Sequence, residues 1–384
     1  MTAALDLQRL HTAAEALADG EVARVLVSRI QRRAGKFGRP INFMEVCGTH
    51  TVAISRFGLR AVLPKSVRLL SGPGCPVCVT DQADIDLFLA LARQPNVIVT
   101  TFGDMIRVPG SETTLAAEKA KGRDVRVVYS PLDALAVAEA NPDALVVFYA
   151  VGFETTTPMV AATLEVAAQK GIGNFTIYPV HKTVPEALAA LLSSEGVRID
   201  GFLLPGHVSA IIGAGAYREV VERFHVPSVI AGFEGNDILL AVDMLLAQLE
   251  AGEAKVEIEY RRAVTWEGNE TAQRLVAQFF TPVDASWRGI GVIPGTGLAL
   301  RPEYAQFDVR NRFDTEALKA ALPEVPARLK ACACGEVLQG VKLPTECRLF
   351  GTACTPVSPV GPCMVSSEGS CAAYYRYERH QGGR

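Results

Sequence analysis

The sequence predicts an α/β protein built on parallel sheets, followed by a loop-rich C-terminal segment of the kind that folds around a metal centre. Three observations carry this. Between about residues 40 and 249, short runs dense in Val, Ile, Phe and Tyr alternate with helical stretches, the pattern of strands buried on both faces of parallel sheets. Most of these runs end in a glycine-bearing loop that opens a helix. Beyond residue 302, Pro, Gly and Cys dominate and hydrophobic periodicity fades, as in a segment ordered by ligation more than by a core.

Taken in order, residues 1–20 read as an amphipathic helix, without the basic start and apolar stretch of a signal peptide. Strands are expected at 41–46, 67–71, 97–101, 125–129, 145–150, 175–179, 201–204 and 228–231, and helices at 82–93, 132–140, 158–170, 185–193 and 236–251. The strand ends lead into Cys-Gly-Thr-His, Gly-Pro-Gly-Cys, Phe-Gly-Asp-Met, Gly-Phe-Glu, Pro-Gly-His and a second Gly-Phe-Glu. Open α/β sheets place their sites in the crevice at these carboxyl ends. A strand at 255–264, a helix at 269–280 and a strand at 287–294 come next. The expected division is 1–143 for a first α/β domain with Cys47 and the Cys75/Cys78 pair, 144–252 for a second, and 253–384 for the cluster-binding domain.

Composition bounds the function. With 384 residues, 49% hydrophobic and 21% charged, the chain can bury real cores without disulfides. Its net charge is −3 and its Lys and Arg are scattered, so no basic patch asks for nucleic acid. No apolar run reaches the roughly 18–20 residues of a membrane span, and a cytoplasmic location is expected. The nine cysteines are an odd number in a chain of that kind, which argues for reduced, working thiols over a disulfide framework. Cys47, Cys75 and Cys78 come early; Cys332, Cys334, Cys347, Cys354, Cys363 and Cys371 crowd the last 53 residues.

The chemistry concentrates in three strings. Cys75-Pro76-Val77-Cys78 follows a strand and precedes a helix, where backbone N–H groups favour a thiolate. Such a C-x-x-C closes a disulfide, moves electrons or forms half of a zinc site, and no second C-x-x-C completes the last. Cys47 and His50 share a strand-to-helix loop; thiolate with imidazole suits iron or zinc, or an activated nucleophile, whereas a lone buried Cys would be packing only. In the tail, four thiolates of six would serve Zn²⁺ or a [4Fe–4S] cluster, and spacing alone picks neither the metal nor the four. Glu154, His207, Glu234 and Asp237 lie at strand ends, where catalytic and capping roles are equally open. Asp104 and Arg107 are weaker site candidates that suit a local ion pair equally well.

These strings together resemble the HypD family of hydrogenase maturation factors. The matching segments are MEVCGTHT at 44–51, GPGCPVC at 72–78, FGDMIRVPG at 102–110, GFETT at 152–156, PGHVS at 205–209, GFE at 232–234, CGEVLQG at 334–340 and MVSSEGSCAAYYRY at 364–377. The resemblance implies two similar α/β domains plus a cluster domain. It implies a [4Fe–4S] cluster on Cys334, Cys347, Cys354 and Cys371, with Cys332 and Cys363 as extra residues. It further implies that Cys47 holds iron and that Cys75 and Cys78 form a redox dithiol. Expected partners are the proteins HypC and HypE, with no nucleic acid or membrane, and the chain alone is expected to be monomeric. The implied work is assembly of the Fe(CN)2CO group of nickel–iron hydrogenases, a transient iron with cyanide and carbonyl ligands, with cyanide accepted from HypE. This is a redox-active scaffold more than a turnover enzyme. A stand-alone iron–sulfur-linked thiol–disulfide reductase and a zinc-stabilised scaffold are the rival readings.

Overall fold

The computed structural model describes residues 19–194 and 196–379; most of the N-terminal helix expected at 1–20 lies outside the described residues. The chain builds nine parallel strands: β1 (Ile41–Glu45), β2 (Val67–Ser71), β3 (Val97–Thr101), β4 (Val125–Val127), β5 (Leu145–Ala150), β6 (Phe175–Pro179), β7 (Gly201–Pro205), β8 (Ser228–Ala231) and β9 (Val256–Ile258). They form two sheets, ordered β2-β1-β7-β8-β9 and β4-β3-β5-β6. Every pairing in both is parallel. The strands are short apolar runs covered by helices on both faces, so β3, β6, β7 and β8 are buried at every position.

The α/β class with two parallel sheets agrees with the sequence, but the linear boundary at 143/144 does not follow the sheets. β1 and β2 pair with β7–β9, while β3 and β4 pair with β5 and β6. The second lobe is therefore inserted into the first. The boundary drawn from sequence cut at an equal share of strands, whereas hydrogen bonding joined strands far apart in the chain. The two Gly-Phe-Glu loops do follow β5 and β8, one in each lobe.

The first lobe is closed on one face by the helices Gly20–Ala34 and Gly235–Ala251. Leu26 and Ile30 meet Leu239, Val242 and Leu246 there. Asp243, buried between them, is paired with Arg29 at 2.5 Å and Arg33 at 2.9 Å, which offsets the cost of taking its charge out of water.

Next come the helix Glu270–Phe279 and an antiparallel hairpin, β10 (Phe280–Trp287) and β11 (Gly291–Leu300). The strand expected at 287–294 thus falls on a turn. Gly289 and Gly291 adopt φ of 71° and 102°, a region L-residues avoid, and they reverse the chain inside an apolar run. The strand expected at 255–264 is reduced to β9. Trp287 is buried with its indole N–H on Thr296 Oγ1 at 2.8 Å and its ring near Phe153.

The tail is made of short helices, among them Cys334–Leu338, Pro362–Val365 and Ser370–Tyr377. Its far end is pinned to the first lobe: Glu378 accepts from Arg60 at 2.6 Å and from Ser55 at 2.5 Å. Among the described residues no helix is long and apolar enough to cross a membrane.

Candidate functional site

Loops at the carboxyl ends of β1, β2, β3, β7 and β8 converge with the tail segment 366–368. Cys47 ends the loop after β1 and stands at the N-cap of helix Gly48–Arg56. Its backbone N–H donates to Glu45 Oε2 at 3.0 Å, and the Thr51 hydroxyl donates to the other oxygen of that carboxylate. Burial pushes the Cys47 thiol up to about 12, and the carboxylates of Glu368 and Glu45 add to the push; the backbone N–H groups of His50 and Thr49 oppose it. The thiol is therefore held neutral at ordinary pH.

The loop after β2 lies directly on Cys47. A Cβ added to Gly74 would stand 2.1 Å from the Cys47 nitrogen, and Gly48 N–H donates to Gly74 O at 2.9 Å. Only glycine permits that approach. The next residue, Cys75, caps the helix Pro76–Val79 and is joined to Cys78 in a disulfide. Both are buried, at 4% and 0% exposure.

His50 is fully buried. Its Nε2 faces Gly232 O at 2.9 Å and Ala231 O at 3.2 Å, so the proton is assigned to Nε2 and Nδ1 carries a bare, unpartnered lone pair. Burial lowers its pKa to about 4 and keeps the ring neutral. Phe233 lies between His50 and His207, with ring centroids 4.9 Å and 4.0 Å away. Burial lowers the pKa of His207 too, against the pull of Glu368.

Several candidates resolve to structure. Glu234 caps the helix Gly235–Ala251 in a capping box with Asp237, which also pairs with Arg262. Glu154 accepts from Val184 N–H at 2.8 Å. Asp104 reaches the tail instead of forming the expected pair with Arg107: it accepts from Ser367 N–H at 2.9 Å and from the Ser366 hydroxyl at 3.3 Å. Arg107 donates to Val365 O. Two residues that sequence reasoning passed over stand at the centre. Ser366 Oγ lies 3.5 Å from Cys75 Sγ, and Glu368 accepts from the Thr49 hydroxyl at 2.9 Å. Their only signal was their place in the MVSSEGSC string.

All six tail cysteines line one cavity, whose other walls include Ala333, Val337, Leu349, Phe350 and Met364. Burial first, then the neighbouring sulfurs, holds the Cys371 thiol well above its ordinary range. Among the described residues no three His, Cys, Asp or Glu side chains are placed to hold a single metal ion. The sulfurs surround a space between apolar walls, a soft donor set that would fit an iron–sulfur cluster. Cys334 Sγ and Cys363 Sγ lie 2.8 Å apart. Cys75, Cys78, Cys334 and Cys363 belong to one apolar cluster that also contains Trp287, and the helix Pro76–Val79 contacts the helix Pro362–Val365, which brings the disulfide close to this part of the tail.

Known proteins resemble the chain over nearly its whole length. The HypD family model, described as "Hydrogenase formation hypA family", matches residues 21–378. The chain is 47% identical over 369 residues to the hydrogenase maturation factor HypD of Rhizobium leguminosarum, covering 94% of each chain. It is 46% identical over 373 residues to that of Cupriavidus necator, covering 95% of this chain and 97% of the relative. Against that of Azotobacter vinelandii it is 45% identical over 370 residues, covering 94% and 96%. With a match that spans both lobes and the cysteine tail, the chain belongs to the HypD family of hydrogenase maturation factors.

Proposed function

We propose that the chain is the cytoplasmic scaffold and thiol redox centre on which the Fe(CN)2CO group of nickel–iron hydrogenases is assembled, with HypC as co-scaffold and HypE as cyanide donor. The observation that carries this reading is the buried Cys75–Cys78 pair, set between the Cys47 loop and the cysteine cavity. Iron is the cargo, and the Cys47 thiolate is its ligand from this chain. Among the described residues no other two donors join Cys47, so further protein ligation comes from a partner, the part given to HypC.

Cyanide bound to a donor sulfur leaves as cyanide only if two electrons enter as the S–C bond breaks. A Cys75/Cys78 dithiol balances that step: the two thiols become a disulfide, one proton goes to the donor thiolate and the other leaves with cyanide, to be lost on binding iron. The neutral His50, with a free Nδ1, is suited to accept a hydrogen bond there, and the proton is lost to solvent. Cys347, Cys354 and Cys371 would be three ligands of a [4Fe–4S] cluster in the cavity, which when bound would supply single electrons for return of the disulfide to the dithiol. The sulfur contact between Cys334 and Cys363 favours Cys332 over the expected Cys334 as the fourth, leaving Cys334–Cys363 as a second sulfur pair. Burial of Cys75 and Cys78 weighs against a stand-alone reductase of protein disulfides, since exchange needs direct access to the sulfur under attack.

Replacing Cys75 or Cys78 by Ala is expected to leave the iron and sulfide content of an anaerobic preparation unchanged and to abolish the infrared bands of iron-bound cyanide when HypC is co-produced. Bands of normal intensity in either variant would falsify the reading.

A further inference from the structure

The turn between β10 and β11 carries a cation that the proposed function does not use. Arg288 donates from its backbone N–H to Val79 O at 2.9 Å, from Nε to Thr80 O at 2.9 Å and from Nη1 to Gln82 Oε1 at 3.0 Å. These bonds fasten it to the residues that follow Cys78. On the other side, Gly289 packs on Gly335, next to Cys334: a Cβ on Gly289 would stand 2.3 Å from Gly335 Cα. The Gln339 amide also donates to Gly289 O at 2.6 Å. The turn is thus clamped between the dithiol and the cysteine cavity. Its last guanidinium nitrogen, Nη2, is sealed from solvent and has no hydrogen-bond partner. A buried cationic donor with no acceptor is costly and needs a reason. Among the charges acting on Cys332, Cys334 and Cys363, that of Arg288 favours the thiolate.

We propose that Arg288 is a positioning residue for electron transfer between the cysteine cavity and the Cys75–Cys78 disulfide, its free Nη2–H held for the negative charge that builds on the cavity sulfurs on reduction. The inference rests on the cluster reading above. One electron from an external one-electron reductant, dithionite in the test below, raises the charge on those sulfurs with no bond broken there; two such electrons passed on to the disulfide break its S–S bond, and the two thiolates formed take two protons from water. The Nη2–H then makes a charge-assisted hydrogen bond that was missing before. The same side chain, through Thr80 and Gln82, fixes the distance from the cavity to the disulfide.

The test uses full-length protein prepared anaerobically, wild type beside Arg288→Lys and Arg288→Met. Iron and sulfide are assayed first; then dithionite reduction is followed by electron paramagnetic resonance, and the Cys75/Cys78 thiols are counted by alkylation. Equal iron content is expected in all three. In the Met variant reduction should be about tenfold less favourable at a given potential, a midpoint lower by about 59 mV for a one-electron couple, with the Lys variant between. Appearance of the two thiols should slow in both variants, since a Lys ammonium cannot hold Thr80 O and Gln82 Oε1 and still offer a further donor as the guanidinium does. An unchanged midpoint and thiol rate in the Met variant overturns the proposal. So does loss of iron from both variants, which makes Arg288 merely structural. A wild-type protein without iron and sulfide is a separate result: it removes the cluster reading, and this inference with it.

Discussion

Glu154 illustrates what burial does to a single side chain. One oxygen accepts from Val184 N–H, the other is buried without a partner. Burial raises its pKa from the ordinary 4.5 to about 7, overriding the hydrogen bonds that pull it down. The folded state therefore holds this proton more tightly than the unfolded one. Its contribution to stability is full below about pH 4.5 and is lost as pH rises through 7. Glu154→Gln removes that titration, so its stability relative to wild type should grow by about 3 kcal/mol between pH 4.5 and 7 and then level off. His50 and His181, whose pKa values burial lowers to about 4 and about 3, act in the opposite sense below pH 6.5, and comparison at each pH cancels them. Chemical unfolding of both proteins at several pH values checks this, and a constant difference would refute it.

At the scale of elements, the strands were legible because each is a short β-branched or aromatic run bounded by glycine loops. The hairpin was not. The run from Trp287 to Pro294 looks continuous, and only the left-handed backbone at Gly289 and Gly291 breaks it. The gathering of the tail cysteines was legible in their crowding, but not their wiring: spacing says nothing about which sulfurs touch, and the Cys334–Cys363 contact is formed by folding. From that contact, Cys332→Ser should lose most of the iron and sulfide while Cys334→Ser keeps them. Metal and sulfide analysis of the two variants decides between the sets, and the reverse result restores the expected Cys334. Residues such as Glu368 and Arg288 escaped notice because their partners lie 319 and 206 positions away. No local pattern announces such a pair.

Over the whole molecule, the site draws loops from both lobes, and the lobes are interleaved. β1 finds its neighbour β7 only after the entire second lobe has been made. Long-range pairing of this kind is slow to form and is not supplied by either half alone. A fragment of residues 1–143 contains β1–β4 without β5–β9, and it should give no cooperative thermal transition by circular dichroism. A sharp transition would mean that the linear division is a real folding unit after all.

The tail is tied down by groups that are not sulfur. Asp104 holds Ser367, the Arg60 and Ser55 side chains hold Glu378, and Gly289 seats against Gly335. A segment moored in this way keeps its outline whether or not its thiols are occupied. On the proposed reading, iron and sulfide would enter a berth that already exists, and the protein could be emptied and refilled without being unmade, unlike small metal-nucleated modules that collapse when stripped.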